Sequence, residues 1–289
     1  MPLQASEFIL NEDGSIYHLN LRPEHLADTV ITVGDPDRVD MLTKHFDEVE
    51  FSIKKREFHT QTGTYRGKRI TVISTGIGTD NIDIVFNELD ALVNIDFEKK
   101  EVKKQLKSLD IIRIGTTGSI QADIPIDSFL LSEKAIGFDG LLHFYQSEKF
   151  LDSAFSEAFI KHMDWFNKKA NPYVVENSKS LQQKLDSEDI FKGITATNIG
   201  FYGPQGRSLR LGLQDDKMNA KLANFKYLDQ KITNLEMETS GIYGMSKLLG
   251  HHAVSMNVIL ANRATGEFSS TPKKTMENLI GYCLDKLTS

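Results

Sequence analysis

Apolar positions along this chain alternate between two rhythms: short β-branched runs, and longer stretches in which apolar residues recur every three or four positions. That is the pattern of strands followed by amphipathic helices. Thr29–Val33 is such a run, broken by Gly34-Asp35-Pro36-Asp37, after which Arg38-Val39-Asp40-Met41-Leu42 begins a helix. The residues from Gly63 to Arg69 have the chemistry of a hairpin connection and lead into a strand at Ile70–Ser74, which runs on into Thr75-Gly76-Ile77-Gly78. After Asp80, the positions Ile82, Val85, Phe86, Leu89, Leu92 and Val93 mark one buried helix face. The stretch 94–109, rich in lysine, glutamate and aspartate, carries Ile95, Phe97, Val102, Leu106 and Leu109 at intervals that suit a partly exposed helix. It reads as a charged insertion or an extended helix.

Asp110–Ile114 predicts a buried strand that ends in a turn of glycines and hydroxyls, Gly115-Thr116-Thr117-Gly118-Ser119. Further strands are expected at Ser128–Leu131, Phe191–Thr197 and Ala253–Leu260. Helices are expected at about Ser153–Lys168, Ser178–Asp186, Ser240–Leu249 and Pro272–Leu287. No linker, repeat or low-complexity block divides the chain, so residues 1–289 read as one α/β domain with a central mixed sheet and helices on both faces.

Composition narrows the function. The 289 residues include 40 acidic and 34 basic side chains, a formal net charge of -6, which supplies no broad field for nucleic acid or an anionic membrane but leaves room for a local basic pocket. The single Cys283 excludes a disulfide framework within the chain and a multi-cysteine metal cluster, and a reducing, cytoplasmic setting is expected. The first residues show no secretion signal, and no apolar run is long enough to span a membrane.

Four runs carry candidate chemistry. In Gly34-Asp35-Pro36-Asp37-Arg38 the glycine permits close backbone approach and the guanidinium suits phosphate oxygens, although a plain surface turn would look the same. Arg113-Ile114-Gly115-Thr116-Thr117-Gly118 puts an arginine inside an apolar strand, where it needs either a bound anion or an internal carboxylate brace. Phe201-Tyr202-Gly203-Pro204-Gln205-Gly206-Arg207 offers aromatics, an amide and a guanidinium to a planar base, or else core-facing rings in a loop. Glu236-Met237-Glu238 either presents carboxylates to sugar hydroxyls or caps the helix that follows. Gly76-Ile77-Gly78 lacks the third glycine of a dinucleotide loop, the run after Arg113 lacks the lysine of a triphosphate loop, and no nucleophile elbow or zinc spacing is present.

At these four runs the chain resembles the nucleoside phosphorylase superfamily, most closely its uridine phosphorylases, in order from His18 to about Gly266. The resemblance implies a three-layer αβα fold and reversible phosphorolysis of uridine to uracil and ribose 1-phosphate, with phosphate as a substrate and no cofactor required. It implies phosphate contacts by Gly34, Arg38, Arg113 and Thr116, with Arg56 supplied across a dimer interface. The base would meet Phe201, Gln205, Arg207 and the supporting Arg263; the ribose would meet Glu236, Met237, Glu238 and a neighbouring subunit's His18. Dimers assembling into a hexamer are implied, with a dimer alone as the alternative, as is no catalytic nucleophile. Glu57, Ile77 and Asn81 fall at the positions of a monovalent-cation site, which leaves potassium as an option, while Gly78-Thr79-Asp80-Asn81 differs from the Gly-Gly-Pro-Ser turn of similar bacterial enzymes. A purine or broad-specificity phosphorylase, a phosphate-independent nucleoside hydrolase and a nucleoside-binding module without turnover are the alternatives.

Overall fold

Every residue of Thr29–Val33 (β1) is buried, which requires a strand covered on both faces. The computed structural model, which describes residues 2–289, places β1 between two parallel neighbours, β4 (Lys68–Ser74) and β7 (Asp110–Ser119). β2 (Glu48–Lys55) and β3 (Phe58–Tyr65) extend the β4 side as antiparallel strands. On the other side lie β13 (His252–Asn262), β8 (Phe129–Gly137), β10 (Phe191–Thr197) and β12 (Gln230–Glu236), in that order. β12 then pairs again with β7, through Asn234 opposite Ser119 and Leu235 opposite Gly118. That half of the sheet therefore curls closed, and the curl brings the end of β12 beside the C-terminal end of β7. Short strands β9 (Tyr173–Glu176), β11 (Lys226–Tyr227) and β14 (Glu267–Phe268) pair with β8, β12 and β13.

Helices cover both faces, as the central mixed sheet expected from the chain's pattern requires. α2 (Thr79–Asn94) buries Ile82, Val85, Phe86, Leu89 and Leu92 and packs with α6 (Thr239–Leu249), whose Ile242, Tyr243 and Met245 join the same core. On the opposite face α1 (Asp37–Thr43), α4 (Lys179–Leu185) and α7 (Pro272–Thr288) cover β1, β4, β7 and β13 with Val39, Leu42, Leu181, Leu279 and Leu284. α3 (Ser153–Met163) and α5 (Met218–Asn224) close a third apolar cluster over β10 and β12.

Three expectations fail. Asn94 ends α2 and residues 95–109 form no helix: β5 (Ile95–Asp96) and β6 (Glu101–Val102) make a short hairpin, followed by an irregular, exposed run. Asp96 Oδ1 accepts from the backbone N–H of Glu98 and Lys99, Lys100 adopts φ +54°, and Asn94 bonds both the N–H and the carbonyl of Lys107. These side-chain bonds offer the backbone partners that compete with a helix. Likewise Gly115–Ser119 is not a turn but the second half of β7, paired along its length with β13. α3 also stops at Met163, five residues short of Lys168, where Asp164 enters the left-handed region at φ +48° and Trp165 N–H turns back to the Ile160 carbonyl.

Candidate active site

The strand ends and the curl converge on a cavity of about 560 Å³. The turn after β1 delivers Gly34 and the start of α1 delivers Arg38, β7 delivers Arg113 and Thr116, the end of β12 delivers Glu236, Met237 and Glu238, and the loop after β10 delivers Phe201, Gln205 and Arg207. All of these line it, together with Ile77 from the loop after β4.

Arg113 is 6% exposed, and its charge is fully partnered. Nη2 donates to Glu238 Oε2 at 2.6 Å and lies 3.2 Å from Glu236 Oε2, while Nη1 donates to Asn257 Oδ1 at 2.6 Å. The internal carboxylate brace is thus realised, yet the same guanidinium lines the cavity. Gly115 explains how it fits: a Cβ there would collide with the guanidinium, which folds over the glycine. Burial works against the arginine's charge, but Glu236 and Glu238 outweigh it and the pKa is raised. Half-buried Arg38 donates to the Ile114 carbonyl at 3.3 Å; burial first, then the Arg113 charge, lower its pKa. Two neighbouring guanidiniums at one end of a cavity make a site for an anion.

The two glutamates divide the roles that their sequence left open. Glu236 is the helix cap: Oε2 accepts from the N–H of Glu238 and Thr239 at the start of α6, each at 2.9 Å, and Oε1 accepts from Thr197 Oγ1 at 2.6 Å. Glu238 faces the cavity, held by Arg113 and by the Gly78 N–H at 2.9 Å. Burial pushes its carboxyl above the ordinary glutamate value, against the pull of Arg113.

At the far end, Arg207 lies over the Phe201 ring, 3.9 Å from its centroid, and Nη1 donates to the Phe201 carbonyl and to Gln205 Oε1. Gln205 is buried; its Oε1 keeps a second lone pair, and its Nε2 has no hydrogen-bond partner among the described residues. Arg263 does not line the cavity. It reaches under the loop to the carbonyls of Gln205 and Gly206, and burial, then this second positive charge, lower the Arg207 pKa.

His18 and Arg56 do not line the cavity either. His18 is tied by Nδ1 and its backbone N–H to Glu88 on α2, and Arg56, at φ +56°, lies against the Tyr17 ring. They therefore sit near each other on the N-terminal segment and the β2–β3 turn. Glu57 and Asn81 gather around Gly76, where an added Cβ would meet both side chains. Oxygens of a carboxylate, an amide and the Ile77 carbonyl suit a hard cation, but Asn81 Nδ2 donates to that carbonyl in this arrangement. Among the described residues no group of three or more His, Cys, Asp or Glu side chains is placed to hold a metal ion. No helix among them is long and apolar enough to cross a membrane.

The phosphorylase superfamily model matches residues 28–282, a span that contains every cavity-lining group named above. The chain belongs to this superfamily. A uridine phosphorylase from Thermococcus kodakarensis is 29% identical to this phosphorylase over 271 residues, 91% of this chain and 83% of the relative. A purine nucleoside phosphorylase of the DeoD type from Oceanobacillus iheyensis is 24% identical over 278 residues, 93% and 98% of the two chains. A crystal structure of a Trypanosoma brucei nucleoside phosphorylase, described as showing uridine phosphorylase activity, superposes with a TM-score of 0.87 at 29% identity, covering 97% of this chain and 99% of that one. Two contributions to this phosphorylase's site were missed by sequence reasoning: the Gly78 N–H on Glu238 and the Asn257 amide on Arg113. The first is backbone and leaves no sequence signal. The second had one, a polar residue inside the apolar run Ala253–Leu260.

Proposed function

We propose that this phosphorylase catalyses the reversible phosphorolysis of uridine, giving uracil and ribose 1-phosphate. The observation that carries the reading is one cavity with two guanidiniums at one end, the Glu238 carboxylate between, and the Gln205–Arg207 pair at the other. An anion, a sugar and a base fit that order. The second lone pair of Gln205 Oε1 and its Nε2 amino group form an acceptor beside a donor, the complement of the adjacent N–H and C=O of a uracil edge. Similarity to the Trypanosoma brucei enzyme and to the Thermococcus kodakarensis uridine phosphorylase supports the same base.

In this mechanism Gly34, Arg38, Arg113 and Thr116 hold phosphate, and one of its oxygens forms a bond to the anomeric carbon as the glycosidic C–N bond breaks. The electron pair leaves with the base, and Gln205 and Arg207 stabilise the resulting anion while Phe201 and Met237 pack against the nucleoside. Glu238 accepts from the ribose hydroxyls. As it turns to them it releases Arg113 Nη2, which becomes available to phosphate. Arg56 and His18 complete the site from a second copy of the chain, so dimers, further assembled into a hexamer, are the active form. No protein nucleophile and no cofactor enter the reaction, and potassium at Glu57, Ile77 and Asn81 would be structural.

The test is base release from uridine, thymidine, inosine and adenosine, each with and without phosphate. Uracil release that requires phosphate is expected; inosine cleavage without uridine cleavage would overturn the base assignment. A purine reading is kept because of the similarity to the Oceanobacillus iheyensis enzyme. Base release without phosphate would indicate a hydrolase, and saturable binding without turnover a binding module.

A further inference from the structure

Asn257 is fully buried in β13, among Val254, Met256, Val258 and Ile259, where an amide is tolerated only if its hydrogen bonds are made. Its place in the register explains what it does. In the parallel pairing of β13 with β7, Ser255 lies opposite Arg113 and Asn257 opposite Gly115, the residue over which the Arg113 guanidinium folds. Asn257 Oδ1 therefore meets Arg113 Nη1 at 2.6 Å. The other side of the amide fixes this orientation: Nδ2 donates to Ser255 Oγ at 3.2 Å and to Ser132 Oγ at 3.3 Å.

Beyond Ser132 the bonds continue through the curled half of the sheet. Ser132 Oγ and Thr195 Oγ1 lie 2.5 Å apart, Thr195 Oγ1 donates to Asn234 Oδ1, and Asn234 Nδ2 donates to Thr117 Oγ1, which donates to the Leu235 carbonyl. With Ser132 as donor to Thr195, every link from Arg113 onward runs donor to acceptor in one direction, so each bond polarises the next.

Arg113 is thus held from two sides by partners of different kinds. The carboxylates on Nη2 are charged, and Glu238 is the group that must turn to ribose in the proposed reaction. Asn257 is neutral, touches no substrate and stays in place. We propose that Asn257 is a positioning residue that keeps the Arg113 guanidinium aimed at phosphate while Glu238 is exchanged, without adding negative charge against the incoming anion. The proposal rests on the phosphorolysis reading.

Asn257→Ala and Asn257→Ser, made in the full-length assembled protein, test it, with Ser132→Ala as a third variant that breaks the chain one bond further out. The measurement is steady-state kinetics with inorganic phosphate varied at saturating nucleoside, and the reverse. Loss of one charge-assisted hydrogen bond is expected to raise the phosphate KM about tenfold, with the nucleoside KM within about twofold. Ser132→Ala should move the phosphate KM in the same direction by less. Combining Asn257→Ala with Arg113→Ala should add nothing to the phosphate KM of Arg113→Ala alone. An equal rise in both KM values, a lowered Tm with unchanged KM values, or additive effects with Arg113→Ala would each overturn the role. If the wild-type protein releases no base in a phosphate-dependent way, the phosphorolysis reading falls and this proposal with it. If it does so and the variants keep the wild-type phosphate KM, only the Asn257 role falls.

Discussion

The two ends of the cavity are built differently. At the arginine end Arg113 sits on β7, Glu236 and Glu238 lie at the end of β12 and Arg38 opens α1; Arg113, Glu236 and Glu238 are each less than 9% exposed and bonded to one another or to backbone N–H groups. At the loop end Phe201 and Tyr202 are about half exposed, Leu209 and Leu211 are 84% and 72% exposed, and Arg207 is held mainly by its own loop. A strand-borne, fully partnered constellation is preorganised: its dipoles already point where charge will develop. A loop that Arg263 and Asn219 hold from outside only by its backbone carbonyls can change its side chains without disturbing the sheet. On the proposed reading, anion chemistry therefore belongs to the sheet and base choice to the loop.

The largest predicted effects fall at the arginine end. Arg113→Ala removes the anion site and also strands two buried carboxylates. A fall of about 10³-fold in kcat/KM is expected, along with a stability loss of about 3–5 kcal/mol in denaturant unfolding. Near-normal phosphate saturation in this variant would reject the phosphate role outright. The carboxylate brace makes the lesion one of both activity and fold. Gly115→Ala is the subtler lesion. The added methyl would meet the far end of the Arg113 side chain, so the guanidinium moves and the strand stays. We expect kcat/KM to drop by up to about 10²-fold, the scale for a displacement of an ångström at a reacting site. Far-ultraviolet circular dichroism should be unchanged, and wild-type kinetics would show that Arg113 tolerates the shift.

The contrast between the two ends also marks what could be read without coordinates. The β1 run, the α2 face with Ile82, Val85, Phe86 and Leu89, and the strand Phe191–Thr197 were legible because apolar periodicity dominates there. β12 was not, because its buried residues include Thr233 and Asn234, whose side chains are satisfied by Thr117, Thr195 and the Ile194 carbonyl on neighbouring strands. β2 is an edge strand with an exposed first half and shows no clean alternation. Of the candidate residues, those that line the cavity lie in motif runs. What could not be read was partnership: nothing local in Arg113 indicates that Glu236, Glu238 and Asn257, more than a hundred positions away, converge on it. The charged 94–109 stretch misled because helical spacing and helical structure part company where Asp96 and Asn94 bond the backbone themselves.

At the loop end the effects should be smaller and of another kind. Gln205→Ala removes the acceptor–donor edge and one anchor of Arg207. We expect kcat/KM for uridine to fall about 10- to 100-fold while the phosphate KM stays within about twofold, and the preference for uridine over inosine to shrink. Unchanged discrimination among bases would contradict the assignment of this end. It would also erase the division of labour between sheet and loop.

The smallest effect is a displacement along the pH axis, and it links the two ends through Glu238. In the proposed reaction that carboxylate accepts from the ribose in its ionised form, and burial, opposed by Arg113, raises its pKa above the ordinary value of 4.5. Turnover should therefore fail, as pH drops, at a higher pH than an exposed glutamate would dictate. Stability moves the other way. Between the unfolded and the raised folded pKa the folded chain binds this proton more tightly than the unfolded chain does, so the group's contribution to stability decreases as pH rises through that window. Acidification there should cost activity while relieving a stability penalty, a pairing that general acid denaturation does not produce. Profiles of kcat/KM and Tm against pH, compared between wild type and Glu238→Gln, isolate it: the variant should lose most activity and also the wild-type acid limb. An acid limb that survives unchanged in the residual activity of Glu238→Gln would assign the titration to a different group and detach Glu238 from the sugar.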